Sequence, residues 1–179
     1  MTDVHWLGGY WNEPGDGDFD WEIRFFEDAG TENKPGTVTA SFYFPNSETH
    51  ETFRELGHNG SEIYSYSVDL PTPLKLSPNT KYWISIQGFG NWENESGTQS
   101  GWASHNETIL LHEAVFKSTD FGYPEWNATS NVSGLDEAYD MCFQLTTRST
   151  VPVVAPVGIV FLLALLAIVS VLTIRRKQH

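Results

Sequence analysis

Five stretches of this chain alternate apolar and polar residues with a period of two. In residues 19–26 every odd position is aromatic or aliphatic, and the even positions are mostly charged. Side chains that alternate in this way point to opposite faces of a strand, so one face packs on a core and the other meets water. The five stretches are residues 19–26, 38–44, 64–70, 81–87 and 140–147. Their predicted core faces include Trp21 and Ile23, Val38 and Phe42, Tyr66 and Val68, Ile84 and Ile86, and Met141, Phe143 and Leu145.

The breaks between these stretches are rich in Pro, Gly and Asn, which favour turns. Short strands with this punctuation and no long helical period predict an all-β fold. We expect an antiparallel, jelly-roll-like β-sandwich over residues 1–148. Residues 88–106 are polar and Gly-rich, which predicts a long loop, and residues 108–114 are compatible with a helical turn or a further strand.

An uninterrupted apolar or weakly polar run covers residues 157–174. As a helix it is about 27 Å long, close to the roughly 30 Å hydrocarbon core of a bilayer. Its apolar character on every face favours a transmembrane helix over a buried soluble helix. A Pro-containing linker, residues 149–156, precedes this predicted span, and a short basic tail, residues 175–179, follows it.

The charges beside the predicted span indicate its orientation. Arg175, Arg176 and Lys177 follow the span, whereas only Arg148 stands just before it. Because basic residues favour the cytoplasmic side, we expect a single-pass protein of the cell membrane. Residues 1–148 would lie outside, the C-terminus would lie in the cytoplasm, and the lipid bilayer would be the first partner.

The N-terminus predicts that sequence precedes Met1 in the natural protein. The first residues contain no basic region followed by an apolar one, so they do not resemble a signal peptide. Residues 4–11 already have the pattern of a strand interior, and we expect a signal peptide and a first strand upstream of Met1. The alternative is a tail-anchored protein whose domain lies in the cytoplasm.

Charge excludes one class of partner. Residues 1–148 hold seven Lys and Arg against 23 Asp and Glu, which leaves a net charge of −16. Such a domain repels phosphate backbones, so we expect no nucleic-acid partner. The single cysteine, Cys142, cannot form an internal disulfide.

Glycosylation is predicted from five Asn-X-Ser/Thr sequons, all in polar stretches. Sequons also arise by chance in a chain rich in Asn, Ser and Thr, which is the alternative. The five candidate residues are Asn59, Asn94, Asn106, Asn127 and Asn131.

The segment before the span has a recognisable spacing. Val151-Pro152 is followed by Gly158, six residues after the proline, and then by the apolar run and the basic end. This resembles the C-terminal sorting signals of prokaryotic surface proteins, and the nearest is the IPTL-CTERM pattern, which is related to PEP-CTERM. Pro156 and Val157 stand where that pattern commonly has an acidic–aromatic pair. The resemblance implies a sorting protease as a partner and a span that is cut after export; a permanent span is the alternative.

The remainder of the chain carries a second resemblance. The segments "WLGGYWNE" and "YSYSVDLPTPLKLSP" resemble an extracellular β-sandwich module of secreted, surface-anchored prokaryotic proteins. That resemblance implies a fold and a location outside the cell. The group has no settled activity, so the resemblance implies no catalytic residue.

Four acidic residues near the N-terminus are calcium candidates: Glu13, Asp16, Asp18 and Asp20. Calcium prefers six to eight oxygen ligands from a turning chain, which this spacing partly supplies. Trp21 occupies the position where an EF-hand loop needs glycine, so the spacing favours a solvated acidic strand entry. We therefore expect no cofactor, with Ca²⁺ as the alternative.

Aromatic residues in polar or Gly-rich stretches are the strongest functional lead. Their rings can stack on sugars when exposed, or can cap the core beneath loops. We find no nucleophile elbow, phosphate-binding loop or zinc-protease motif in the sequence. The candidate sugar-binding residues are Trp92, Trp102, Tyr123 and Trp126.

We therefore expect a membrane-anchored cell-surface protein with a binding or structural role at the envelope, and no catalysis. One alternative is a carbohydrate-binding module, which would bind surface glycans through these aromatic residues. Another alternative is a glycan-acting hydrolase, which would need a cleft with a pair of carboxylates.

Overall fold

A computed structural model describes residues 1–11, 19–30, 33–57, 60–90, 99–105, 109, 111–135 and 137–147. One compact unit comprises Met1–Thr147, and a second unit comprises Arg148–His179. The predicted linker, span and basic tail all lie in the second unit, outside the described residues. Among the described residues, no helix is long and apolar enough to cross a membrane.

The described part of the chain consists of antiparallel β-strands with two single turns of 3-10 helix, at Asn46–Glu48 and Thr129–Asn131. The all-β, antiparallel prediction is thus confirmed. The strands are β1 (Asp3–Trp11), β2 (Asp20–Asp28), β3 (Pro35–Phe44), β4 (His50–Leu56), β5 (Glu62–Asp69), β6 (Tyr82–Phe89), β7 (Gln99–Trp102), β8 (Ser104–His105), β9 (Val115–Ser118), β10 (Tyr123–Ala128), β11 (Asp140–Met141) and β12 (Phe143–Thr146).

Two larger sheets organise these strands. Sheet A has the order β12-β1-β5-β4, and β7 also pairs with β1. Both β12 and β7 fit beside β1 because β12 pairs with its first half and β7 with its second half. Sheet B has the order β3-β2-β6. Two further pairs, β9 with β10 and β8 with β11, complete the described fold.

The core lies where the inner faces of sheets A and B meet. The indole of Trp6, on β1, stacks on the ring of Tyr66, on β5, with centroids 5.2 Å apart. It also meets Trp21, on β2, edge to face at 5.0 Å. Such aromatic pairs add about 0.5–1.5 kcal/mol each beyond the area they bury. Ile23, Phe25 and Val68 are equally buried, so the period-two pattern predicted the core faces of β2 and β5 correctly.

The predicted core position of Val38 is wrong, because a β-bulge changes its face. Phe25 pairs with Ala40, but the next residue, Phe26, pairs with Val38, so β3 has one extra residue at this step. An extra residue shifts the alternation by one, so side chains on its two sides no longer keep the same parity, and Val38 turns to the opposite face from Ala40. Val38 is accordingly 46% exposed and lies beside Phe26 on the outer face of sheet B. The hydroxyl of the extra residue, Thr39, donates to the Phe25 carbonyl at 3.1 Å.

The predicted strand over residues 140–147 is interrupted at Cys142. Its carbonyl accepts from the Leu7 amide at 3.1 Å, and its own amide donates to the Ala103 carbonyl at 3.0 Å. The chain therefore pairs with β8 before this point and with β1 after it. The predicted burial of Phe143 and Leu145 is also wrong: they are 43% and 37% exposed, because β12 lies at the edge of sheet A. In the predicted segment 108–114, the described residues 111–114 form neither a helix nor a strand.

Candidate functional site

A cleft of about 380 Å³ lies beside the hairpin of β9 and β10. The turn between β2 and β3 forms its other side. Its lining combines one large aromatic ring with polar and charged side chains, among them Lys34, His112, Glu113, Trp126, Asn127 and Asn131. We call this the Trp126 cleft.

An outward-facing residue of β2 contributes to the position of the Trp126 cleft. Phe26 follows the inward-facing Phe25 on the regular strand β2, so it lies on the outer face of sheet B and yet is only 6% exposed. The indole of Trp126 covers it edge to face, with ring centroids 5.9 Å apart. On the same hairpin, Phe116 packs against Phe121 and Tyr123. These contacts pack the Trp126 ring on sheet B and leave the residue half-buried at the cleft.

Glu113 is fixed in the wall of the cleft. Its carboxylate accepts from the Thr129 hydroxyl at 3.1 Å and from the Ser130 amide and hydroxyl, each at 2.9 Å. Burial pushes the pKa of Glu113 upward, but the bonds from Ser130 and Thr129 outweigh burial and leave the pKa below its usual value. Thr129 is 1% exposed, and its hydroxyl oxygen also accepts from the Tyr139 amide at 3.1 Å. Glu113 is therefore an ionised acceptor whose oxygens already hold the chain around the 3-10 turn.

Comparison with known proteins assigns the family. The sequence profile of a domain of unknown function, DUF7901, matches residues 2–146. This chain belongs to the DUF7901 family. Neither a curated protein nor a solved structure matches it. The match covers the described strands from β1 to β12, and the family description names no activity, so a function must be argued from the geometry of the domain.

The three predicted sugar-binding residues that the structure describes have different surroundings. Trp102 lies on β7, donates its indole N–H to the Cys142 carbonyl at 3.0 Å and packs against the core. Tyr123 accepts from the Ser133 amide at 2.8 Å, and its ring contacts Phe116. Of these three residues, Trp126 lines the cleft described above. Trp92 lies outside the described residues.

Two predicted glycosylation residues, Asn127 and Asn131, lie in the Trp126 cleft. The Asn127 amide donates to the Glu125 carbonyl at 2.6 Å. The third residue of its sequon is the buried Thr129, whose hydroxyl has the structural role described above. Asn59, Asn94 and Asn106 lie outside the described residues.

One of the four calcium candidates, Asp20, lies in the described part of the domain. Its carboxylate accepts from the Tyr43 hydroxyl and, at 2.8 Å, from the Asn46 amide. These two bonds, the Tyr43 bond foremost, lower the pKa of Asp20. Within the described ranges, no three His, Cys, Asp or Glu side chains are grouped to hold a metal. Glu13, Asp16 and Asp18 lie outside those ranges.

Sequence reasoning identified Trp126 but missed its neighbours. Lys34 is far along the chain from His112 and Glu113, and the two segments meet only through packing of the hairpin on sheet B. No local motif connects them. The tryptophan was identifiable because a large aromatic residue is conspicuous in a polar stretch.

Proposed function

We propose that this protein is a binding protein of the cell surface, tethered by one C-terminal helix. Residues 157–174 are long and apolar enough to cross a bilayer, and three basic residues follow them. In this proposal the DUF7901 domain lies outside the cell, with sheets A and B as the two layers of a jelly-roll-like sandwich. The basic tail, residues 175–179, lies in the cytoplasm until any processing.

The observation that best supports a binding role is the Trp126 cleft. It combines an aromatic ring with the amides of Asn127 and Asn131 and the ammonium group of Lys34. Carbohydrates present apolar C–H faces and many hydroxyls, so a ring with nearby amides and charges suits them. We therefore propose a glycan of the cell envelope or of another cell as the ligand of this cleft.

Binding fits this cleft better than hydrolysis does. Most glycosidases use two carboxyl groups, one of which must donate a proton. Among the described lining residues Glu113 is the one carboxylate, and its lowered pKa keeps it ionised. Hydrogen bonds from Thr129 and Ser130 also occupy both of its oxygens. These features support a non-catalytic role.

A matched pair of tryptophan variants tests the glycan proposal. Trp83 and Trp126 are both half-buried, and each has a lysine near its ring: Lys81 at 4.6 Å and Lys117 at 5.9 Å. Only Trp126 lines the cleft. On a glycan array with full-length protein made without N-glycosylation, we expect Trp126→Ala to lose about tenfold in affinity and Trp83→Ala to keep its binding. A blank array, or equal loss in both variants, would contradict the proposal.

The tether needs a separate experiment. We propose that Val151, Pro152, Pro156 and Gly158 form a sorting motif at which the span is removed after export, with retention of the span as the alternative outcome. Carbonate extraction of membranes shows whether the chain is anchored, and mass spectrometry of the native C-terminus shows whether it is cut. Release of unprocessed full-length chain by carbonate would contradict the anchor.

A further inference from the structure

The outer face of sheet A forms a second concave surface, of about 490 Å³, on the opposite side of that sheet from the core. One row of side chains crosses all four strands in the order β12, β1, β5 and β4: Gln144, His5, Ser67 and His50. The neighbouring row contributes Leu7, Ser65 and Thr52, and Arg54 lies at its end. We call this surface the sheet A trough.

Arg54 owes its position to a β-bulge in β4. Phe53 pairs with Tyr64, but Glu55 pairs with Ile63, so Arg54 is an extra residue without a partner in the ladder. Bulges redirect side chains and recur beside functional sites. Here the bulge coincides with an exposed arginine at the wall of a concave surface.

Polar side chains of the trough are not used by the fold. Arg54, His50, Thr52, Ser67 and Gln144 make no side-chain hydrogen bond or ion pair with another described residue. Ser65 donates to the Thr52 carbonyl at 3.4 Å, and His5 contacts Asp3 at 2.8 Å. Donors and acceptors from three strands are thus free to meet a ligand.

The charge of the trough is opposite to that of the domain. Although residues 1–148 carry −16, the described lining of the trough contains no Asp or Glu and does contain Arg54, His5 and His50. Acidic residues flank the trough at both ends in the register: Asp3 and Asp69 beyond one row, and Glu55, which pairs with Ile63, beside Arg54. Asp3 is held there by bonds from Thr146, Thr2 and His5, so its charge is already matched by donors.

We propose that the sheet A trough binds a sugar chain that carries carboxylate groups, such as a uronic acid oligomer. The guanidinium of Arg54 can hold a carboxylate through two parallel hydrogen bonds, and His50 offers a further donor. Ser67, Thr52 and Gln144 can exchange hydrogen bonds with sugar hydroxyls. A protein partner fits less well, because protein interfaces rely on several aromatic anchors. Of the three lining rings, Trp6 and Tyr66 are at most 2% exposed and only Phe143 is open, at 43%.

This proposal depends neither on the membrane tether nor on the Trp126 cleft, and its test keeps them apart. Calorimetric titration of the full-length chain would use trigalacturonate, neutral cellotriose and a sulfated trisaccharide. We expect trigalacturonate to bind, cellotriose to bind at least roughly tenfold more weakly, and Arg54→Gln to weaken trigalacturonate by roughly tenfold. The control Lys75→Gln removes the same charge at an exposed position outside the trough and should leave binding unchanged.

Three results would overturn the proposal. The first is that trigalacturonate does not bind the wild-type chain. The second is that Arg54→Gln and Lys75→Gln weaken binding equally, which would indicate a general charge effect. The third is that the sulfated sugar binds through Arg54 while trigalacturonate does not, which would exclude the carboxylate ligand.

Discussion

The outer faces of sheets A and B come from the same period-two pattern but differ in what their polar side chains do. On sheet B, Glu22 accepts from Arg24 at 2.7 Å and from Ser41 at 2.6 Å, and Asp28 accepts from Trp83 at 2.7 Å. On sheet A, most side chains of the trough have no such partner among the described residues. Alternation thus predicts which side chains face outward, but cross-strand pairing decides whether they stabilise the fold or remain free for a ligand.

The largest expected effect comes from the core that both faces share. Trp6→Ala removes a 2% exposed indole that contacts Trp21 and Tyr66, and should lower the free energy of unfolding by about 3–5 kcal/mol. Urea unfolding followed by fluorescence and by circular dichroism measures it. If the two outer faces belong to one cooperative unit, the unfolding midpoints from fluorescence and from circular dichroism will shift together. Separate transitions would contradict a single cooperative unit.

A smaller effect separates the two faces directly. Arg24→Gln breaks the bonds to Glu22 and should cost about 0.5–1 kcal/mol of stability, since both side chains remain partly exposed. Arg54→Gln breaks no intramolecular bond and should change stability by less than about 0.5 kcal/mol. The comparison uses the urea midpoints of the two variants, with the same dependence of the free energy of unfolding on urea concentration in both. Equal losses of stability in the two variants would show that Arg54 stabilises the fold.

A third effect is a pH dependence at the edge of the trough. Bonds from Thr146, then Thr2 and His5, lower the pKa of Asp3 from 3.8 to about 2. Because the folded pKa lies below the unfolded one, Asp3 contributes its full stabilisation above about pH 4 and loses it as the pH falls toward 2. Asp3→Asn should therefore flatten the stability profile between pH 4 and 2.

The control for this pH dependence is Asp120→Asn, which removes an exposed carboxylate between β9 and β10. Thermal melts at closely spaced pH values should show the wild-type slope in that variant. If Asp3→Asn also keeps the wild-type dependence of melting temperature on pH, Asp3 is not the source of that dependence.

Local pattern predicted the interior of the domain better than its surface. The faces of β2 and β5 followed directly from alternation, because those strands are regular and paired on both sides. Val38 was misplaced because a bulge leaves no signature in apolar periodicity, and Phe143 because an edge position depends on topology. The sheet A trough involves a second bulge, at Arg54, which the apolar pattern does not predict either. The span over residues 157–174 and its sorting motif stay predictions.

The most direct test of the difference between the two faces is an NMR titration that follows the Nε–H signals of Arg24 and Arg54. Trigalacturonate would be added to the full-length chain, and each signal would be assigned from its glutamine variant. Our account predicts that the Arg54 signal moves with ligand concentration and that the Arg24 signal, bonded to Glu22, stays fixed. A bound ligand that leaves Arg54 unmoved, or one that moves Arg24 instead, would contradict it.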